Sequence, residues 1–325
     1  MSFEIPSSKK SLNNIKNYIV KTPLKYSERL SKETNSNIYL KLENFQKTGS
    51  FKVRGALNKI LNINSEEKVV AASSGNHGAA VSYALFQKNM TGIIYVPNNV
   101  KKSKVKIIES YGSKVVKFGD DCLDAENEAI RLSKENNLTF VSPYNDYDII
   151  SGQGTIGVEI LEQNREIDIV FITVGGGGLI SGISSYIKSV NPNIKVIGCS
   201  PINSSIMINS IKEGKIVNSE SKDTLSDGSA GGIEEDSITF NMCKEFIDDY
   251  CLVTEEEIAL QIKNTLNKDK ILIEGSAAVA IASAIKMKSY FKEKNVAIII
   301  CGGNIGSDTL NKILWIPNFI LKNKF

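Results

Sequence analysis

The chain has 325 residues, 42% of them hydrophobic, with 39 lysines and arginines against 36 aspartates and glutamates and a net charge of +3. That length allows a large core and two domains, and so small a net charge on scattered lysines gives nucleic acid nothing to bind. A single histidine, His77, excludes a two-histidine metal site and leaves any histidine-based triad one candidate.

In chain order, the N-terminal MSFEIPSSKK lacks the apolar core of a signal peptide, and no apolar run reaches membrane-spanning length. β-Branched runs predict strands at 37–43, 68–74, 92–97, 114–119, 139–143, 168–174, 195–200, 249–254 and 296–303. Helical stretches lie between them, at 78–89, 102–112, 122–137, 178–190 and 276–294. This alternation predicts an α/β fold of mostly parallel sheets covered on both faces. The longest polar, glycine-bearing segment, 213–237, reads as a surface loop or as part of a site wall. The five cysteines (Cys122, Cys199, Cys243, Cys251 and Cys301) form no CxxC pair, which suits a reducing cytoplasm and argues against structural zinc.

Several stretches carry chemistry. In TGSFKVRGA (48–56), Lys52 stands between an aromatic and a β-branched residue, either as a surface lysine or as one drawn into a pocket where it becomes a nucleophile. SSGNHGAA (73–80) offers backbone donors, two hydroxyls and an amide, either to a substrate carboxylate or as a capped helix start. VGGGGLISG (174–182) runs from a strand through Gly175, Gly176, Gly177 and Gly178 into a helix, which suits a phosphate. Its glycines do not fit dinucleotide or Walker spacing, so a nucleotide-binding module is disfavoured. EGSAAV (274–279) opens a helix, with Glu274 placed to favour its dipole, and CGGN (301–304) is a glycine turn after the last buried strand.

The ordered set TGSFKVRGA, SSGNHG, SGQGTIGVEI, VGGGGLISG, TLSDG and CGGN resembles the fold type II pyridoxal-phosphate enzymes, and within them the serine/threonine dehydratases and serine racemases. The resemblance runs from 22–24 to CGGN. It implies a tryptophan synthase β-like fold of two domains, a large one made of 1–67 and 146–325 and a small, mobile one at 68–145. It implies Lys52 as the Schiff-base lysine, with Gly175 through Gly178 and Leu179 around the phosphate, Asn76 on the ring hydroxyl and Cys301 at the pyridine nitrogen. Phe51, Gly228 and Glu274 complete the cofactor site. Ser73, Ser74, Gly75, Asn76 and His77 form the substrate-carboxylate loop, and Arg131 approaches that carboxylate on closure.

A neutral thiol at the ring nitrogen makes the cofactor a weaker electron sink and favours elimination over transamination. The expected activity is therefore a dehydratase that removes water and ammonia from a β-hydroxy amino acid such as L-threonine or L-serine. Ser74 matches the second acid/base of racemases, so a racemase using Lys52 and Ser74 is the alternative, although Ala79 stands where racemases carry glutamine. The 224–240 stretch is closer to bacterial dehydratases and to those of hydroxyectoine breakdown, which act on modified amino acids. Relatives with a divalent ion place carboxylates where this chain has Ser200 and Ile206, so no metal is expected there. A homodimer is expected, and a chain ending soon after CGGN points to catabolic use without feedback control. A β-replacement synthase and a non-catalytic cofactor-binding protein are the other readings.

Overall fold

A computed structural model describes residues 7–315; the N-terminal MSFEIP and residues 316–325 lie outside the described residues. The strands are β1 (Leu24–Tyr26), β2 (Asn37–Leu42), β3 (Val69–Ala72), β4 (Gly92–Val96), β5 (Lys114–Lys117), β6 (Thr139–Phe140), β7 (Ile169–Thr173), β8 (Lys195–Pro201), β9 (Asp249–Val253) and β10 (Asn295–Ile300). They form two sheets, β1-β2-β10-β7-β8-β9 and β5-β4-β3-β6. Every pairing is parallel except β1 on β2. All nine expected strands are present. The tenth, β1, has three residues and mostly faces solvent, too short to show a period of two.

Parallel strands buried on both faces have no polar side to display, which is why β7 reads IVFIT and β10 NVAIII. The central register aligns Val170 of β7 with Ala297 of β10 and Val196 of β8. Helices Tyr147–Gln163, Gly178–Val190 and Gly275–Lys286 cover this sheet, the last one burying mostly alanine with small neighbours such as Gly275, Ser276 and Ser283.

The SGQG of 151–154 is explained by packing. A Cβ on Gly152 would lie 2.6 Å from the Gly55 Cα, and one on Gly182 would lie 2.6 Å from the Gly154 nitrogen. The helix Tyr147–Gln163 thus meets two neighbours backbone to backbone, a spacing that any side chain would break.

Helix Lys52–Asn62 lies at the junction of the two sheets. Its Val53, Ala56, Leu57 and Ile60 share one apolar cluster with Val69 and Ala71 of β3, Val81 and Leu85 of helix Asn76–Gln87, and Ile149. Its first residues reach the other way, to the end of β10. Ser50 bridges Gly302, and the Phe51 amide donates to the Cys301 carbonyl at 2.9 Å. The loops leaving β3, β6, β7 and β10 at their carboxyl ends bring their residues to this junction, where open α/β sheets bind ligands.

Candidate active site

Lys52 begins its helix, and its Nζ donates to the Pro143 carbonyl at 2.8 Å and stands 5.3 Å from the Phe51 ring centroid. The side chain is partly open to the cleft. Burial nevertheless lowers its ammonium to about 8, against the pull of Cys301, Glu274 and Glu126. The geometry therefore selects the pocket reading of this lysine.

The loop after β3 is folded on itself. The Ser73 hydroxyl accepts from the Gly75 amide at 3.1 Å, and a Cβ on Gly78 would lie 2.2 Å from the Ser73 carbonyl oxygen. Helix Asn76–Gln87 starts here, and the amides of Ser74, Asn76, His77 and Gly78 meet no acceptor among the described residues. Free amides at a helix start form an anion site. The Ser74 side chain is half-buried in the same loop. The His77 ring is buried and its Nε2 lies 2.8 Å from the Val141 carbonyl, so Nε2 carries the proton and donates it. Burial, followed by the charge of Lys52, lowers this imidazole to about 3. His77 is thus neutral and spans the loop to the backbone after β6, offering the cleft its amide and not its ring.

The second anion site follows β7. Gly177 has φ +87° and precedes helix Gly178–Val190, and the amides of Gly175 through Leu179 meet no acceptor among the described residues. Side chains would not fit here. A Cβ on Gly176 would lie 2.4 Å from the Tyr144 ring, and one on Gly175 would lie 2.8 Å from the Ser229 carbonyl oxygen. The strip 225–229 of the long polar segment is therefore site wall. It is tied down by Ser226 Oγ donating to Ser276 Oγ at 3.1 Å and by the Leu225 amide donating to Glu255 at 2.6 Å.

Between the two loops lies Glu274. Asn76 Nδ2 donates to both of its carboxylate oxygens at 3.0 Å, and the Asn304 amide donates to it at 3.1 Å. Asn304 Nδ2 donates in turn to Asn76 Oδ1 at 2.7 Å and to the Thr48 carbonyl at 2.8 Å. Burial raises the Glu274 carboxyl to about 7, and burial pushes the neighbouring Cys301 thiol well above its usual value. Gly228 joins this group, since a Cβ there would lie 2.9 Å from Ser276 Oγ and 3.5 Å from Glu274.

Arg131 is placed elsewhere. On helix Cys122–Glu135 its guanidinium bonds Glu128 at 2.7 Å and Glu135 at 2.5 Å, with 52% of the side chain exposed. It makes no hydrogen bond or ion pair with the loop 73–78 among the described residues, because its i−3 and i+4 glutamates hold it on the solvent face. Ser200 Oγ donates to the Val174 carbonyl at 3.0 Å, and Ile206 starts a helix. No group of three His, Cys, Asp or Glu side chains suited to a metal occurs among the described residues.

Four contributors receive no role from the sequence. Pro143 gives Lys52 its acceptor, Tyr144 walls the glycine loop, Asn304 closes the Glu274 triangle, and Glu126 acts on Lys52 through its charge. A backbone carbonyl acceptor has no residue-type signature. Asn304 alone was within reach of sequence reasoning, as the last letter of CGGN.

These residues fit pyridoxal phosphate. The free amides of Gly175–Leu179 suit its phosphate, an amine lowered to about 8 suits its aldehyde, and a thiol kept neutral by burial suits an uncharged ring nitrogen.

Residues 15–302 match the family described as pyridoxal-phosphate dependent enzyme. The chain is 42% identical over 309 residues to the L-threonine ammonia-lyase of Thermotoga maritima, covering 94% of this chain and 77% of that one. It is 37% identical over 300 residues to the catabolic L-threonine dehydratase of Escherichia coli, covering 91% of each. Among solved structures, maize serine racemase superposes with a TM-score of 0.90 at 30% identity, covering 97% and 98%. The processed threonine deaminase isoform 2 of Solanum lycopersicum superposes with 0.88 at 35%, covering 94% and 92%.

Proposed function

The chain belongs to the pyridoxal-phosphate dependent enzyme family, and from that premise we propose that it is a lyase releasing ammonia and a 2-oxo acid from a neutral β-hydroxy amino acid, L-threonine or L-serine. The observation that carries this reading is Lys52, lowered to about 8, placed among two loops of free backbone amides. One loop suits the cofactor phosphate and the other the substrate carboxylate.

The cofactor, when bound, supplies an electron-withdrawing ring that acidifies the α C–H of an attached amino acid. Lys52 would hold the cofactor aldehyde, and its neutral Nζ, once free, would take the α proton of the substrate. The amides of Ser74, Asn76, His77 and Gly78 hold the carboxylate, so that the α proton faces Lys52 and the β-hydroxyl can leave. Asn76, with Glu274 accepting from its Nδ2, would hold the ring hydroxyl, and Phe51 and Leu179 would pack on the cofactor. Cys301 gives the ring nitrogen no counter-charge, which supports elimination over transamination.

The residues 68–145, built on the four-stranded sheet, act as the mobile part and close over the substrate to exclude water. The enzyme works as a homodimer in a reducing cytoplasm, where its five free cysteines stay unpaired. No described helix is long and apolar enough to cross a membrane. A catabolic use is supported by the 37% identity to a relative named as a catabolic L-threonine dehydratase. Racemisation through Ser74 is the second reading, supported by the half-buried Ser74 hydroxyl within the loop 73–78 and by the maize superposition. The ammonia-lyase reading has the stronger support, at 37–42% identity over most of the chain.

The test is 2-oxo acid release from L-threonine and L-serine, with chiral analysis of the remaining amino acid. Lys52→Ala should lower release by about a thousandfold or more. Racemised substrate without oxo acid would select the Ser74 reading, and neither product would sink both.

A further inference from the structure

Two residues beyond Lys52, Arg54 is fully buried between two carboxylates. Its Nε and Nη2 donate to Glu43 at 2.7 and 2.8 Å, and its Nη1 and Nη2 donate to Glu159 at 2.8 and 2.9 Å. Nη1 also reaches Thr155 Oγ1 at 3.1 Å. Lys41, equally buried, donates to Glu159 at 2.6 Å, to the Thr22 carbonyl at 2.7 Å and to Gln163 at 3.0 Å. Thr22 Oγ1 donates to Glu43 at 2.5 Å. Two cations and two anions thus sit in the interior with every exposure at 1% or less.

Such a cluster is a poor way to gain stability. Taking four charges out of water costs several kcal/mol each, and apolar residues of similar volume often serve as well or better. What a doubly bidentate guanidinium does supply is geometry, because two planar forks leave it one position.

The helix that carries Lys52 needs such a fix. It begins without a side-chain cap, its apolar face packs on aliphatic residues that tolerate sliding, and its Gly55 meets Gly152 backbone to backbone beside Gln153, whose Oε1 accepts from the Gly55 amide at a long 3.3 Å. Asn58 and Lys59 bond its far end to Asp148 and Asp146 of the loop and helix after β6. Among the described residues, Arg54 is the side chain of this helix that bonds the exit of β2, where Glu43 stands, and it joins that point to Glu159 of helix Tyr147–Gln163.

We propose that Arg54 is a positioning residue that sets the axial and rotational register of helix Lys52–Asn62, and so the place of Lys52 Nζ in the cleft. A slip of one residue moves a helix by about 1.5 Å and turns it by about 100°, which would carry the amine away from the Pro143 carbonyl and from the reacting atoms. The inference rests on the role given to Lys52 above.

The experiment uses holoenzyme carrying Arg54→Lys, which keeps the charge and loses the forks. A second variant makes the cluster apolar: Lys41→Met, Glu43→Leu, Arg54→Met and Glu159→Leu. Borohydride trapping of the cofactor on Lys52, visible circular dichroism of the bound cofactor, kcat, KM and Tm are read for each. We expect Arg54→Lys to lower kcat by about ten- to a hundredfold with KM within about threefold, and to change the visible dichroism. The apolar variant should recover much of the Tm while kcat and dichroism stay altered. Wild-type dichroism and kcat in either variant, at whatever Tm, would overturn the proposal and leave Arg54 a structural ion pair. Should the apolar variant not fold, Arg54→Lys decides alone. Absence of trapping at Lys52 in the wild type would instead overturn the Lys52 assignment, and the positioning role with it.

Discussion

Asn76 Nδ2 lies 3.0 Å from each carboxylate oxygen of Glu274, joining the helix that follows β3 to the loop that opens helix Gly275–Lys286. Burial holds that carboxyl near 7, against an ordinary 4.5. The native protein therefore keeps a proton here that the unfolded chain releases between these values. The contribution is full below about pH 4.5 and is lost as pH rises through 7, on the order of 3 kcal/mol in all. Glu274→Gln cannot titrate. Its Tm relative to wild type should climb from pH 4.5 to 7 and stay level above, as followed by scanning calorimetry. A constant difference across that range would show that the carboxyl titrates normally.

Lys52 gives the opposite signature. Its ammonium is lowered from 10.5 to about 8, so it sheds its proton earlier in the folded protein than in the unfolded chain. Only the neutral amine attacks an aldehyde. For protein stripped of cofactor and mixed with pyridoxal phosphate, the rate of absorbance change should rise about tenfold per pH unit below 8 and flatten above it. A rise continuing to pH 10 would mean that Lys52 is not shielded.

Gly176 and Tyr144 are coupled by space. A Cβ at 176 would fall 2.4 to 2.7 Å from three ring atoms, while the Tyr144 hydroxyl is held by the Glu234 amide at 3.0 Å. Gly176→Ala should weaken pyridoxal phosphate binding by about tenfold or more and destabilise by about 1–3 kcal/mol, while pyridoxal, which lacks the phosphate, binds nearly as before. Truncating the ring should relieve the clash, so Gly176→Ala costs less in a Tyr144→Ala background. Titration by fluorescence quenching measures all four proteins, and additive losses would refute the contact.

These relationships show what the residue string carries and what it does not. Backbone donors that cradle anions demand glycine, so 175–178 and 73–78 were legible. Buried parallel strands demand continuous β-branched runs, so IVFIT and NVAIII were legible too. A site built from a carbonyl, such as Pro143, or from a ring that happens to pass a glycine, such as Tyr144, leaves no such mark. Arg131 is the instructive case. Its spacing to Glu128 and Glu135 is the pattern of a solvated helix face, and that local signal describes its position better than the family resemblance does. Arg54 lay inside the most informative motif, yet its partners at 43 and 159 are distant in sequence, so only the fold could pair them.

Glu126 leads to the last prediction. It lies in the second turn of helix Cys122–Glu135, partly buried, with no hydrogen-bond or ion-pair partner among the described residues. Burial and then Glu234 raise its carboxyl, while Lys52 pulls it back. The cations near the loop are otherwise engaged: Arg131 bonds its own helix, Lys104 stands 3.9 Å from Asp227, and His77 is neutral. A substrate bringing a second carboxylate would meet this charge offset only in part by Lys52, which also faces Cys301 and Glu274. Two like charges about 6 Å apart at an effective dielectric of about 20 repel by roughly 3 kcal/mol, on the order of a hundredfold in kcat/KM. We expect L-threonine to be strongly preferred over L-threo-3-hydroxyaspartate. Glu126→Gln should narrow the ratio by about tenfold or more, chiefly by raising kcat/KM for the diacid. The wild-type preference should also grow with pH as Glu126 ionises, and that trend should vanish in the variant. An unchanged ratio in Glu126→Gln would remove this residue from substrate selection and leave the choice of side chain to the shape of the cleft.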